Sequence, residues 1–464
     1  MSRWKVMIAI LFSLFCSQVG PLLSSSLFAD DWKAGVARVK ITPESPLPMA
    51  GYASRQAAHA TGTLTDLWGK VLVLESPEGS RAVLITLDLC GVSRSLTHSL
   101  IARLQERHNW NRSQIAVCAS HTHSGPVVGG YLAPLQSGFS AADQKLVSDY
   151  ESWLIGQLVS AVDVARADLQ PASMQWGSGT ATFAVNRRNN REPEVPELRA
   201  TGKLAGPHDH DVPVLLVKRN DQPAVIVFGY ACHNTTLSGM QWSGDYAGYA
   251  QLELEKKFPD AVAMFWSGCG ADQNPLPRRT VELAQGYGGQ LATAVEQVVN
   301  GPLHPVKGEL NTLYEEIPLP YAGLPTREKL TVDLYAKDPY RAATAQRLLE
   351  QFEANGGLQT TYPYPVGVWK LGDEVTWVFL GGEVVVDYAL RLKSENPDRA
   401  GAFWVAGYAN DVMAYIPSRR VLREGGYEGG AAMVYYGLPS PWGESVEDLI
   451  LSAVQKWTEP AAAP

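Results

Sequence analysis

The sequence Ala-Ser-His-Thr-His-Ser-Gly-Pro-Val occupies residues 119–127 and directly follows a short apolar run. This pattern predicts a buried strand that ends in a polar turn, because a Gly-Pro pair interrupts regular structure. Side chains alternate along an extended chain, so His121 and His123 should face one cavity while Thr122 faces the other side. Neutral imidazole is a usual nitrogen ligand of zinc, so the pattern indicates a metal site. A pair of polar loop histidines is the alternative.

The composition is that of a globular protein. The chain has 464 residues, of which 45% are hydrophobic and 19% are charged. Its net charge is −8 at pH 7 and it has no basic run. These features argue against nucleic-acid binding, which requires a cationic surface. The length permits one large domain or several smaller ones, and no low-complexity linker marks a boundary.

The N-terminus carries a targeting pattern. Arg3 and Lys5 precede an apolar stretch over residues 6–15, and small and polar residues follow up to Ala29. This order predicts a secretory signal peptide over residues 1–29 and therefore a secreted or periplasmic protein, with an uncleaved anchor as the alternative. No later stretch reaches the roughly 20 apolar residues that a transmembrane helix needs.

Four cysteines remain after the predicted signal peptide, and each lies at the end of an apolar run. They are Cys90, Cys118, Cys232 and Cys269. Four cysteines in a large secreted chain do not form a disulfide scaffold, so we expect mostly buried, small hydrophobic side chains. One disulfide among them is left open, and none has the C-x-x-C spacing of a zinc-cysteine site.

Apolar runs with strand character alternate with segments of helical spacing, which predicts an α/β fold. The predicted helices cover residues 95–108, 141–169, 245–257, 281–299, 326–355, 384–393 and 445–457. Most predicted strands end in a short loop that carries a reactive side chain. Those side chains are Asp88, His121, His123, His233, Asp272, Glu383 and Tyr415. In α/β folds, sites are assembled at strand ends.

Each of these side chains also has a structural interpretation when it is taken alone. A single histidine after a strand is commonly a hydrogen-bonded filler. Glu383 opens a predicted helix, where the helix dipole favours a negative charge. Tyr415 alone fits a core or interface position.

Taken together, these segments resemble the N-terminal catalytic domain of the neutral (neutral/alkaline, non-lysosomal) ceramidases. The matching pieces extend from Gly35 to about Trp442. They comprise residues 34–37, 49–52, 120–126, 186–187, 233, 243–245, 248–249, 382–383, 409–415 and 427–429. The His-Thr-His-Ser-Gly-Pro run is the most specific of them.

The resemblance implies a fold, a metal and a reaction. The fold is a single large catalytic domain whose mixed sheets are sandwiched by helices in αββα layers. The implied ligands of one Zn²⁺ are His121, His233, Glu383 and Tyr415, and His123 contacts substrate or metal-bound water. Gly51, Arg187 and Tyr427 match substrate-binding positions. The implied reaction is hydrolysis of the N-acyl bond of ceramide, which gives sphingosine and a fatty acid.

Two features depart from the family pattern. The family carries a serine in a Gly-Asp-Val-Ser-Pro-Asn loop, and Gln273 stands at that place here. An amide is not a nucleophile, so we expect zinc-activated water to attack, with His123, Asp272 and Gln273 as the catalytic side chains. Asp272, Gln273 and Asn274 are expected to position or stabilise the reacting groups. Asp88 or a nearby histidine is expected to orient a ligand or move the proton. The expected organisation is a catalytic domain over residues 30–464 without the family's C-terminal immunoglobulin-like domain.

The sequence therefore predicts a secreted, zinc-dependent amidohydrolase that acts on ceramide or a related lipid. One alternative is a zinc hydrolase for another amide or ester, and another is a metal-retaining binding protein without turnover. The expected partner is a small lipid or amide substrate, and peripheral contact with a membrane is compatible with it. Neither a nucleic acid nor a protein partner is indicated.

Overall fold

The computed structural model describes residues 32–458, so the predicted signal peptide lies outside the described residues. The strands are β1 Trp32–Lys40, β2 Gly62–Thr63, β3 Trp68–Glu75, β4 Arg81–Leu87, β5 Ile115–Ala119, β6 Gln170–Thr180, β7 Ala184–Asn186, β8 Asp211–Arg219, β9 Gln222–Tyr230, β10 Gln241–Trp242, β11 Val262–Ser267, β12 Gln273–Pro275, β13 His304–Val306, β14 Leu310–Pro320, β15 Thr361–Leu371, β16 Val375–Leu380, β17 Glu383–Val384, β18 Phe403–Ala406 and β19 Tyr415–Ile416. The helices are α1 Arg94–His108, α2 Ala141–Ala167, α3 Val195–Ala200, α4 Asp245–Lys257, α5 Val281–Val299, α6 Arg327–Asp333, α7 Pro339–Asn355, α8 Asp387–Glu395, α9 Arg419–Glu424, α10 Met433–Tyr436 and α11 Val446–Thr458.

Two mixed sheets form the centre of the molecule. The larger sheet has the strand order β11-β9-β8-β6-β1-β3-β4-β5, and β13 pairs with β6. Its outer pairs β4–β5 and β9–β11 are parallel, whereas the strands between them are antiparallel. The smaller sheet has the order β14-β15-β16-β18, in which only β16 and β18 run parallel.

Strand alternation places helices on one face of the larger sheet and the smaller sheet on the other. Val71 and Val83 pack with helices α1 and α2. Their neighbours Leu72 and Leu84 pack against the smaller sheet, in a core that contains Trp377. Strands buried on both faces are apolar at nearly every position, which explains the continuous apolar runs in the sequence.

The smaller sheet is covered on its other face by helices α8 and α11. Val366 and Val378 point into this layer, where they join Leu392 and Ile450. Helices α4 and α5 cover β8, β9 and β11 of the larger sheet. The order helix, sheet, sheet, helix confirms the predicted αββα architecture.

The long amphipathic helices match their predictions closely, and α4 and α5 have the predicted bounds. Two other helices differ. The helical segment predicted over residues 326–355 is divided into α6 and α7, because Pro339 begins a new helix and cannot continue the preceding one. The helix predicted from residue 384 begins at Asp387, because residues 383–384 form β17 and pair with β19.

The four cysteines are all free and buried, which confirms the prediction of small core side chains. Within residues 32–458, none of them forms a disulfide. A search of the same residues finds no helix that combines the length and apolar character required to span a membrane.

The core between the two sheets is expected to contribute much of the stability. Trp377 is 1% exposed, and its ring centroid lies 5.4 Å from those of Trp266 and Trp404. Replacing Trp377 by Ala should lower the free energy of unfolding by about 3–5 kcal/mol, measured by chemical denaturation. Trp153 on α2 is 40% exposed and provides the matched control, for which we expect a loss of about 1 kcal/mol or less. Equal losses at the two positions would contradict the packing of one sheet on the other.

Candidate metal centre

Four side chains that follow or begin strands meet at one buried point. His121 lies two residues after β5, and His233 lies three residues after β9. The parallel pair β17–β19 places Glu383 opposite Tyr415 in the register. All four residues are buried, and the ligand atoms of the two histidines and the glutamate lie within 4.8 Å of one another.

The distances within this cluster are short. The Glu383 Oε2 atom lies 3.3 Å from His121 Nε2 and 3.2 Å from His233 Nε2. The Tyr415 hydroxyl lies 3.2 Å from the same His233 nitrogen. The structure therefore brings together all four residues that the resemblance implied as metal ligands.

Backbone carbonyls fix the outward nitrogen of both histidines. His121 Nδ1 lies 2.6 Å from the carbonyl oxygen of Cys90, and His233 Nδ1 lies 2.9 Å from that of Gly270. A carbonyl only accepts, so each Nδ1 donates its proton and each Nε2 directs its lone pair into the cluster. Asp88, which was expected to orient a ligand, instead accepts a hydrogen bond from the Trp68 amide at 2.9 Å.

Glu383 is held in an unusual way for a buried carboxylate. The hydroxyl of Tyr436 donates to its Oε1 atom. Its Oε2 atom is buried and has no hydrogen-bond partner, although it lies between two imidazoles. A buried carboxylate oxygen without a donor is costly, and a bound cation would satisfy it.

The electrostatics of the cluster are consistent with a cation at this point. Burial would raise the pKa of Glu383, but the imidazoles, above all His121, hold it well below its usual value. Burial lowers the pKa of His121, yet the Glu383 charge outweighs this effect and raises it to about 10. Burial lowers the pKa of His233 to about 4. The Glu383 carboxylate and the two imidazole nitrogens therefore favour a positive charge at this point, which a divalent cation would supply. Two imidazoles with oxygen donors fit a metal of the zinc type.

His123 stands beside the cluster and is partly exposed. Its Nε2 atom lies 3.1 Å from His121 Nε2, so both imidazoles of the His-x-His pattern reach the same place. Gly51 lies against the ring, and a Cβ atom there would come within 2.5 Å of His123 Cγ. Gly51 also has a φ of +95°, so this close approach requires glycine.

Arg187 borders the cluster on the side of Tyr415. Its Nη2 atom donates to the Tyr415 hydroxyl at 3.1 Å, its Nε to Glu428 at 2.7 Å, and its Nη1 to Asn274 Oδ1 at 3.3 Å. The ring of Tyr427 lies 5.2 Å from that of Tyr415, and Tyr427 is 46% exposed. A cavity of about 540 Å³ opens here, lined by residues that include Arg187, Arg188, Asn274, Leu276, Arg278, Tyr427 and Glu428.

The side chains of Asp272 and Gln273 do not join the cluster. Asp272 accepts from the Val386 amide at 2.9 Å, and burial raises its pKa to about 6. Gln273 donates to the Ala231 carbonyl at 2.6 Å. Both side chains therefore stabilise the loops around the cluster. Alternation along β12 presents the next residue, Asn274, to Arg187.

Two residues of this site have little signal in the sequence. Tyr436 contacts Glu383 from the short helix α10. The hydroxyl of Tyr408 lies 3.5 Å from His233 Nδ1. Asn274, by contrast, was expected from the sequence to position or stabilise the reacting groups, and it accepts from Arg187.

Comparison with known proteins assigns the chain to a family. A family model described as neutral/alkaline non-lysosomal ceramidase, N-terminal, matches residues 32–273. The chain belongs to this ceramidase family. Its fold also resembles two solved structures at 19% sequence identity. One is a ceramidase complexed with C2 (TM-score 0.71, covering 94% of this chain and 77% of that one). The other is the neutral ceramidase of Pseudomonas aeruginosa (TM-score 0.69, covering 94% and 76%).

Sequence relatives of this family member are neutral ceramidases from distant organisms. Neutral ceramidase 2 of Arabidopsis thaliana is 28% identical over 246 residues, which are 51% of this chain and 31% of the relative. The neutral ceramidase of Pseudomonas aeruginosa is 25% identical over 251 residues, which are 52% and 37%. The alignments therefore cover about a third of the length of these relatives.

The geometry of this ceramidase-family site predicts one metal ion per chain. His121→Ala and Glu383→Gln should abolish stoichiometric binding, because each removes a donor from the cluster. Tyr436→Phe should weaken binding by about 10–100-fold, since it removes the hydrogen bond that orients the carboxylate. Metal analysis after dialysis and a competition titration would measure both effects. His98→Ala, at an exposed position of α1, is the control and should bind normally. Retention of metal by the His121 and Glu383 variants would refute the assignment.

Proposed function

We propose that this chain is a secreted, zinc-dependent amidohydrolase that cleaves the N-acyl bond of ceramide or a related N-acyl lipid. The observation that carries the proposal is the buried cluster of His121, His233 and Glu383 in a member of the ceramidase family. Tyr415 completes the proposed ligand set. Secretion rests on the predicted signal peptide.

The proposed metal is Zn²⁺. The two histidines supply nitrogen donors, and Glu383 and Tyr415 supply oxygen donors, which is a set that zinc accepts. When bound, Zn²⁺ would act as a Lewis acid on the scissile carbonyl and lower the pKa of a bound water to about 7.

His123 is the proposed proton carrier. Burial, together with the neighbouring imidazoles, holds the pKa of His123 well below its usual value, so the ring is neutral at pH 7. Its partial exposure lets it reach both water and substrate. In amide hydrolysis a proton must leave the attacking water and reach the departing amine, and one imidazole can serve both steps.

Arg187 is the proposed group that binds and stabilises the reacting carbonyl. Its guanidinium is held by Glu428 and Asn274 and therefore does not need to reorganise during the reaction. Negative charge develops on the carbonyl oxygen in the transition state, and a pre-oriented cation stabilises it. Tyr427, exposed beside Tyr415, offers a ring face to the part of the substrate that extends into the cavity.

Water is the proposed nucleophile. Gln273 has no nucleophilic atom, and both ends of its amide are engaged by backbone groups, Nε2 with Ala231 and Oε1 with Asp209. The sequence predicted Asp272 and Gln273 to be catalytic. In this proposal they instead support the loops that carry His233 and Asn274.

A second candidate is a zinc hydrolase for a more polar amide or ester. The observation that favours it is the lining of the 540 Å³ cavity, in which arginine, glutamate and asparagine predominate and Leu276 is the only aliphatic side chain. An aliphatic chain gains little from burial against such a surface. This cavity should therefore hold the polar headgroup side of a substrate and not an aliphatic chain.

A substrate panel separates these functions. Purified zinc-loaded protein would be incubated with N-acyl-sphingosines of several acyl lengths, simple acyl amides and esters, and the products separated by chromatography. We expect release of sphingosine, its loss in His121→Ala, and its loss and recovery on chelation and zinc addition. Cleavage of only small amides or esters would favour the second candidate. Zinc binding without any turnover would instead indicate a binding protein.

The proposed role of Arg187 predicts a specific kinetic defect. Arg187→Met should lower kcat/KM by about 100-fold, because one oriented donor to the developing oxyanion is lost. Because Arg187 also donates to the proposed ligand Tyr415, zinc content would be measured in the same samples and kcat/KM expressed per bound zinc. Arg327→Met, which alters an exposed guanidinium on α6, is the control and should leave kcat/KM unchanged within about twofold. A similar kcat/KM in the Arg187 variant and the wild type would exclude this role.

A further inference from the structure

Arg55 is a buried arginine next to the candidate metal centre, and it was not singled out by the sequence. It is 7% exposed. Its Nη1 atom donates to the carbonyl oxygens of Ala50, at 2.8 Å, and of His123. Its Nη2 atom donates to the carbonyl oxygen of Gly239 at 2.7 Å. One guanidinium therefore joins three separate segments of the chain.

The partners of Arg55 are unusual for a buried arginine. Among residues 32–458, no carboxylate forms an ion pair with Arg55, and its Nε atom has no hydrogen-bond partner. Burying a cation without a counter-charge costs free energy that carbonyl dipoles offset only in part. The role of this arginine therefore has to be sought in the three carbonyl groups that it joins.

The contacts of Arg55 all lead to His123. Its guanidinium carbon lies 4.7 Å from the centroid of the Tyr52 ring, and that ring lies 4.7 Å from the His123 ring. The Tyr52 hydroxyl donates to the Leu237 carbonyl at 3.0 Å. The Ala50 amide donates to the Gly125 carbonyl at 3.0 Å, which ties the same loop to the turn that carries His123.

His123 depends on such a framework more than the other two histidines do. His121 and His233 are each oriented by a hydrogen bond from Nδ1 to a backbone carbonyl. His123 Nδ1 is buried and has no hydrogen-bond partner. The position of its ring is therefore set by its own backbone and by the surfaces of Gly51 and Tyr52, which Arg55 holds in place.

We propose that Arg55 is a positioning residue that fixes the His123 imidazole beside the metal ligands by clamping the carbonyls of Ala50, His123 and Gly239. Arg55 acts through His123 and does not touch the reacting atoms. Its kinetic consequence rests on the proposed amidohydrolase function, whereas its structural consequence does not.

The test compares Arg55 with a matched arginine far from the site. Arg112 also stacks on a tyrosine, with its guanidinium carbon 3.7 Å from the Tyr314 centroid, and donates to the Ile115 carbonyl at 2.7 Å. Arg55→Met, Arg55→Lys, Arg112→Met and Arg112→Lys would be prepared with zinc. For each, kcat, KM, zinc content and Tm would be measured on the substrate that the wild type cleaves.

We expect Arg55→Met to lower kcat by about 100-fold, because a displacement of a catalytic group by about 1 Å has that effect. KM should stay within about threefold, and zinc content should stay at one per chain. Arg55→Lys should retain part of kcat, since an ammonium keeps the charge but cannot reach all three carbonyls. In the two Arg112 variants, Tm should fall to a similar degree as in the Arg55 variants, whereas kcat should stay within about twofold of the wild type.

Several outcomes would overturn the proposal. Equal losses of kcat in the Arg55 and Arg112 variants would show that Arg55 has only a structural role. Loss of zinc in Arg55→Lys would show that Arg55 acts on the metal ligands and not on His123. If Arg55→Met does not fold, the comparison of Arg55→Lys with Arg112→Lys decides. If the wild type turns over no substrate, the proposed function fails, and crystal structures of the wild type and Arg55→Lys decide instead. An unmoved His123 ring would then refute the proposal.

Discussion

The site depends on one buried carboxylate that lies between two imidazoles. Glu383 Oε2 has no hydrogen-bond donor, yet it lies 3.3 Å from His121 Nε2 and 3.2 Å from His233 Nε2. A buried carboxylate oxygen without a donor favours a positive charge beside it, which a metal cation would supply. The outward hydrogen bonds to the carbonyls of Cys90 and Gly270, and the Tyr436 hydroxyl on Oε1, all serve to keep this charged point in place.

The layered fold makes that arrangement possible because it brings distant strand ends to one place. The larger sheet supplies His121 and His233 from β5 and β9, which lie at and near its opposite edges. The segments after the smaller sheet supply Glu383 and Tyr415 through the two-residue pair β17–β19. The sheets must therefore pack face to face for the four side chains to meet. The tryptophan-rich core around Trp377 is thus also a structural requirement of the site.

Much of this could be predicted from sequence, and the exceptions have a common cause. Local periodicity located α4 and α5. His121 and His123 reach the same place as predicted, but not through the two-residue repeat of a strand, because both follow the end of β5 and His121 has a φ of +59°. The strand character of Glu383 was missed, because β17 exists only through its pairing with β19. Likewise, the pairing of β12 with β7 determines that Asn274, not Gln273, faces Arg187. Contacts between elements distant in sequence decided each of these cases, and no local pattern contains them.

In the proposed function, the three histidines of the site take different roles. A metal ligand needs a fixed direction for one nitrogen, and for the proposed ligands His121 and His233 a carbonyl on the other nitrogen provides it. His123, the proposed proton carrier, is not oriented in this way. His123 has no such acceptor and is positioned through its backbone and its ring faces. Arg55, a buried guanidinium without a carboxylate partner, binds the backbone carbonyls of His123 and Gly239. In this proposal it fixes the His123 ring through the backbone, in place of a hydrogen bond to the ring itself.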